Sequence, residues 1–248
     1  MQLFYGDLAL EDDARTLASY GLDGDGGDRD CYSLQLVLVA PKTFTYERDF
    51  DENGLLCYIG TGEGAGEPYV NPAEAGRIAV TRSSGNQYGG PVNAAAGRTN
   101  TASFTKGVPG SWYKFDLGPE RRVVPTQYTL KHGWKTSSRR LRNWVLEGST
   151  DDAEWTVLKT HTDDRSIPGR GFATASLAIT GYAGEPVRYL RIRSTGEDSS
   201  GAHEYYVCVG GFEVYGTLHR GAAAAAEPTP AAAAAAAARR SVALARLA

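Results

Sequence analysis

The chain has 248 residues, a formal net charge of −3 and 42% apolar residues, the profile of an ordinary folded protein. That charge argues against general nucleic-acid affinity, which needs a basic footprint, and no apolar run approaches the ~20 residues of a membrane span. The start, MQLFYGDLALEDDART, lacks a basic stretch leading into an apolar one, so it does not read as a signal peptide.

The first unit is expected over residues 1–39. Leu3 and Tyr5 alternate with other residues as a short strand would. GDLALEDDARTLASYGL then reads as turn, loop and short helical turn, followed by an acidic glycine-rich loop, DGDGGDRD. YSLQLVLV closes the unit as a strand with Leu34, Leu36 and Leu38 on one face. The order strand, Gly6 turn, Leu10-Glu11-Asp12, Arg15-Thr16-Leu17, Tyr20-Gly21-Leu22 and final strand through Leu36 and Leu38 resembles the C-terminal half of a ubiquitin-like, β-grasp domain. The first hairpin and central helix of that family have no counterpart, so the unit is expected to be partial and N-terminally truncated. The final strand runs into Val39-Ala40-Pro41 without a diglycine, which rules out conjugation as ubiquitin is conjugated.

Residues 40–217 are expected to form the main domain. Helix-length periodic segments are missing and short strands dominate. WYKFDLG places Tyr113, Phe115 and Leu117 on one face and Trp112, Lys114 and Asp116 on the other. RNWVLEGS places Trp144 and Leu146 inward, and EWTVLKTH, VRYLRIRS and GFEVYGTL continue the period. Turn signals such as STDDAE and SIPGRG separate them, which points to an antiparallel sandwich or barrel. Trp144 and Trp155 fall on the two strands of an expected hairpin, where two indoles would anchor the core. Beyond 217, alanine runs around EPTP and a terminal RRSVALARLA form a low-complexity tail, expected to be disordered or transiently helical.

Five segments of the main domain resemble the discoidin family, also called factor V/VIII type C, with its galactose-binding-like jelly roll. They are FDENGLLCYIGT, EPYVNPAEAGRIAVTRSS, SWYKFDLG, the run from Tyr128 to Asp164, and YLRIRSTG with GFEVYG. The version most like this one occurs inside some HECT-type ubiquitin ligases and in BTB-domain proteins. The resemblance implies a mainly β fold, an eight-stranded antiparallel jelly-roll sandwich, and a ligand-recognition module with no catalytic chemistry and no cofactor. It implies protein binding in an intracellular, ubiquitin-linked setting through loops at one end of the sandwich.

Candidate chemistry is sparse. No G-x-S-x-G occurs, and the glycine-rich GTGEGAGEP lacks a following G-K-[ST], so neither a hydrolase elbow nor a phosphate cradle is supported. His132, His161, His203 and His219 have no metal-ligand spacing, and no metal is expected. The aspartate pairs Asp151-Asp152 and Asp163-Asp164 are chemically suited to calcium but sit at strand ends, where turn aspartates are common. His161 is expected in such a turn, making a hydrogen bond. Cys57 and Cys208, each flanked by apolar strand residues, are expected as buried free thiols. With Cys31 they are too few for a disulfide framework and suit a reducing compartment, cytoplasmic or nuclear.

The candidate binding loops are 61–72, 83–91 and 132–140, with Tyr69, Asn71, Arg82, His132, Trp134, Lys135 and Arg139 as ligand contacts. An exposed tryptophan among cations offers area and bidentate pairing. In the alternative, Arg142 and Asn143 tie the last loop down and Trp134 is partly packed. A protein ligand is expected, with a glycan as the other class of partner in a carbohydrate-binding or cell-adhesion domain. A further alternative is a ubiquitin-ligase fragment whose catalytic part lies outside this chain.

Overall fold

The computed structural model describes residues 40–85, 89–201 and 203–220 and, before them, the backbone of three short strands. Those strands, β1 (Gln2–Tyr5), β2 (Leu8–Leu10) and β3 (Leu34–Val37), belong to one unit, and Pro41–Arg220 forms a second. In the first, β1 is central, with Leu3 opposite Leu10 on β2 and opposite Leu36 on β3, both antiparallel. Leu8–Leu10, expected within a loop, is therefore a strand. Its Leu-Ala-Leu alternation after Gly6-Asp7 is a hairpin signal. The helical turn and acidic loop expected between 11 and 33, Cys31, and the alanine-rich tail from 221 lie outside the described residues.

The larger unit has two antiparallel sheets. One has the order β10 (Thr174–Ala178), β7 (Arg121–His132), β12 (Val209–Arg220), β4 (Lys42–Phe44). The other has the order β5 (Ala79–Arg82), β6 (Trp112–Asp116), β11 (Tyr189–Ser194), β8 (Trp144–Ser149), β9 (Thr156–His161). Sequence neighbours sit apart and strands from distant segments pair, the crossing pattern of a jelly roll. These nine strands are one more than expected. β4 has three residues, too few for an alternation to register. β12 continues past the boundary expected at 217, pairing Leu218 with Val123 and Arg220 with Arg121.

The alternation that predicts the strands also builds the core. Tyr113, Phe115 and Leu117 are fully buried, while Trp112, Lys114 and Asp116 on the opposite face are partly exposed. Phe115 of one sheet stacks on Phe212 of the other with ring centroids 4.4 Å apart, which ties the layers together. Trp144 is fully buried with Leu146. Trp155 is not a core anchor: it precedes β9, is half-buried, and lies beneath the Arg191 guanidinium at 3.8 Å on the outer face. The hairpin's indoles thus fall on opposite sides of the sheet.

Two local features depart from plain strands. Pro125 lies in β7 beyond the end of its ladder with β10 at Gln127 and opposite Gly216 of β12, so its missing N–H falls outside the doubly paired stretch. The ladder shifts register there, between Tyr215 and Gly216, as a bulge. Gly216 has φ 138, and a Cβ on it would sit 2.1 Å from the Val124 carbonyl oxygen, so glycine is required. The second feature is a short helix, α1 (Leu55–Gly60), which places Cys57 on a helix and not on the strand expected. Its first-turn N–H groups at Leu56 and Cys57 donate to the buried carboxylate of Glu213 on β12, at 2.6 and 3.1 Å. Arg98 donates to the same carboxylate and to the carbonyls of Phe50 and Asp51.

Candidate functional site

The connection from β7 to β8, residues 133–143, is held from three sides. At its base the Gly133 N–H donates to Cys208 O, and its carbonyl accepts from Ser103 N–H. A Cβ at Gly133 would meet Ser103 O at 2.3 Å and Val209 N at 2.6 Å, so only glycine lets these backbones approach. Trp134 O accepts from Phe172 N–H at 3.0 Å. Arg140 donates to Ser137 O and Ile167 O, and its backbone exchanges hydrogen bonds with Ser199. Arg142 donates to Asp164 O, and Asn143 donates to Glu197 O while accepting from Asp163 N–H. Arg142 and Asn143 thus do tie the loop down, and Trp134 is partly packed.

On this frame sits a cation among rings. The Arg139 guanidinium carbon lies 4.3 Å from the Tyr206 ring centre, 5.2 Å from Trp134 and 5.6 Å from Phe104. Phe104 is buried and meets Trp134 edge-on at 5.0 Å. Lys135 is exposed, its ammonium 5.9 Å from the Trp134 ring. Arg139 itself has φ 61, the left-handed region that non-glycine residues adopt uncommonly. Of the contacts expected from sequence, Trp134, Lys135 and Arg139 come together here, and Phe104 and Tyr206, which were not among them, complete the group. The Tyr205-Tyr206 pair ahead of β12 was the available signal.

The remaining expected contacts do not join this group. His132 is no loop residue: it ends β7, is 1% exposed, and its Nε2–H donates to Thr136 O at 3.1 Å. Its Nδ1 has no partner among the described residues. Burial lowers its pKa to about 4, so the ring is neutral near pH 7. Arg82 is spent on structure, donating to Gly89 O, Gly90 O, Phe104 O and the Tyr113 hydroxyl. Asn71 uses both ends of its amide, on Asn93 O and Ala73 N–H. Tyr69 donates to Ala96 O, lies 5.1 Å from Arg98, and burial lifts its phenol to about 12. It borders a cleft of about 590 Å³ with Cys57, Thr61 and Arg98. Within loop 61–72, Glu63 pairs with Arg121, where β7 starts, whereas 132–140 follows where β7 ends. The loops 61–72 and 132–140 are therefore anchored at opposite ends of a twelve-residue strand. In loop 83–91, residues 86–88 lie outside the described residues.

A chain of hydrogen bonds runs Asp164–His161–Tyr128–Trp144. An indole N–H can only donate and a carboxylate only accept. Trp144 therefore donates to the Tyr128 oxygen at 3.1 Å, Tyr128 donates to His161 Nε2 at 2.7 Å, and His161 Nδ1–H donates to Asp164 at 2.6 Å. His161 ends β9 and is buried against the Trp144 ring, 3.9 Å away. The turn expected for it begins one residue later. Tyr128 and Trp144 are fully buried, so this relay reaches no substrate. The aspartates weighed for calcium are engaged elsewhere: Asp151 caps the turn at Ala153 and Glu154, Asp152 pairs with Lys114, and Asp163 pairs with Arg165. No three His, Cys, Asp or Glu side chains among the described residues are grouped to hold a metal ion. Cys57 and Cys208 are free and buried, and burial raises both thiol pKa values.

No protein-family model matches the chain. The E3 ubiquitin-protein ligase Ufd4 of Drosophila melanogaster is 38% identical over 180 residues, 71% of this chain and 6% of that protein. The E3 ubiquitin-protein ligase hecd-1 of Caenorhabditis elegans is 35% identical over 172 residues, 68% of this chain and 6% of that protein. A BTB/POZ domain-containing protein of Arabidopsis thaliana is 30% identical over 71% of this chain and 22% of its own length. The chain thus spans a small part of each of these relatives. Among solved structures, a striped-bass (Morone saxatilis) fucolectin is similar with TM-score 0.45 and 18% identity over 58% of this chain and 46% of its own. An F5/8 type C domain from Bacteroides fragilis has TM-score 0.43 and 19% identity over 57% and 92%. By strand topology the sandwich of Pro41–Arg220 is an antiparallel jelly roll, and by sequence the chain is related to a segment of these E3 ubiquitin-protein ligases.

Proposed function

We propose that the sandwich is a non-catalytic recognition module that binds a protein ligand through the 132–140 loop, in a ubiquitin-linked setting. The observation that carries this is the Arg139 group: a guanidinium held among Trp134, Tyr206 and Phe104 on a loop fixed by hydrogen bonds. Trp, Tyr and Arg are the side chains that dominate binding energy at protein interfaces. A loop that is already fixed loses little conformational freedom when it binds. The kinship with a segment of two ubiquitin ligases supports the setting, with any ligase catalysis supplied elsewhere. Two free buried cysteines support a reducing compartment, cytoplasmic or nuclear. The order β2-β1-β3 supports a partial β-grasp unit ahead of the sandwich.

Glycan recognition is the competing reading, favoured by the half-exposed Trp134 ring, a surface that could also take a sugar. The two are separated by one comparison. The chain and its Trp134→Ala variant are used to capture proteins from cell extract and are also applied to a glycan array. Protein ligands retained by the parent and lost by the variant support the proposal. Equal capture by both, or binding confined to glycans, overturns it.

A further inference from the structure

The surroundings of Arg139 specify what its ligand carries. Tyr206, Trp134 and Phe104 surround the guanidinium, and Arg139 stays partly exposed. Among the described residues no acceptor takes up its N–H groups, although Arg140 beside it donates to two carbonyls. Rings alone cannot satisfy in-plane donors. The left-handed backbone at Arg139 adds roughly 1 kcal/mol or more of strain, which the pinned loop sustains. The geometry therefore holds a bidentate donor edge open and in place. Lys135, exposed and with its ammonium 5.9 Å from the Trp134 ring, adds a second positive charge beside the same indole.

We propose that this edge binds a side-chain or terminal carboxylate of an acidic peptide segment, with the two carboxylate oxygens accepting from Arg139 and Lys135 attracting neighbouring acidic residues. A planar group with two oxygens matches a guanidinium edge. The proposal rests on the recognition reading above and adds the chemistry of the ligand to it.

The test is a nuclear magnetic resonance titration of the full chain with three capped peptides of one sequence. One is rich in glutamate, one has glutamine in place of each glutamate, and one has phosphoserine. The readouts are the Arg139 Nε–H and Trp134 indole N–H signals. The glutamate peptide is expected to shift both, saturably, and to weaken as salt rises. Arg139→Lys keeps the charge but loses the planar pair, and is expected to weaken binding about tenfold. Lys135→Gln, which leaves the strained position untouched, is expected to weaken it by a smaller factor. Equal binding of the glutamine peptide, preference for phosphoserine with no response to glutamate, or no shift at Arg139 each overturns the carboxylate proposal. Trp134-dependent capture of protein from extract does not depend on ligand charge, so that reading can stand while this one falls.

Discussion

Trp144 is the largest fully buried side chain among the described residues. It is fully buried, stacks on His161 and donates to Tyr128, so removing its indole leaves a cavity and strips a partner from a buried hydroxyl. Trp144→Ala is expected to cost about 3–5 kcal/mol in urea unfolding. Trp134→Ala is expected to cost less than half of that, because its ring is only partly packed. Equal losses would mean that the 132–140 loop is part of the core. The histidines give a pH signature. His132 and His161 are both neutral in the fold, and burial depresses both pKa values, that of His132 to about 4. The unfolded chain takes up those protons near pH 6.5. The stability they confer is therefore complete above about 6.5 and drains as pH falls toward 4, by about 3 kcal/mol for His132 alone. Unfolding free energies measured at pH 7.5 and 4.5 are expected to differ accordingly. His132→Gln is expected to shrink the difference, and an unchanged pH profile would refute the assignment.

At the scale of elements, what the sequence discloses is alternation. Tyr113-Lys114-Phe115 on β6 announces both strand and inward face, because a half-buried strand must alternate, whereas β8 is buried along its whole length. What it hides is long-range polar pairing. Arg82 looks like a free cation in sequence, yet it is consumed by carbonyls of Gly89, Gly90 and Phe104 that no local pattern predicts. His132 looks like a loop residue because Gly133 follows, but the strand holds it inside. The Arg139 group draws on Phe104 and Tyr206, which no periodic segment contains. The helix α1 is hidden for the same reason: its N-terminal N–H groups are capped by Glu213, far along the chain. Burial pushes the Glu213 carboxyl up to about 7, so at pH 8 it is charged and paired with Arg98. Glu213→Gln, measured at pH 8, is expected to cost about 3–5 kcal/mol, since it leaves the Arg98 charge without its partner. Hydrogen exchange at Leu56 and Cys57 is expected to quicken in step. A loss below about 1 kcal/mol would mean that water compensates Arg98.

For the molecule as a whole, the sandwich should stand by itself. Pro41–Arg220 closes its own two sheets, and every strand of both is drawn from within that span. A domain of this size buries roughly 70% of the surface its unfolded chain exposes, enough for a cooperative core. The ends matter, because the edge strand β4 is short. Cutting at 44 and 217 would delete the pairing of Lys42 with Leu218 and of Thr43 with Thr217, and the ion pair of Arg220 with Glu63. Residues 41–220 are therefore expected to melt in one cooperative calorimetric transition. Residues 44–217 are expected to melt about 2–8 °C lower, for a loss of about 1–2 kcal/mol at a sheet edge. Equal melting temperatures would show that β4 contributes nothing beyond position 44. A broad transition without calorimetric cooperativity in residues 41–220 would show that the sandwich depends on the strands that precede it.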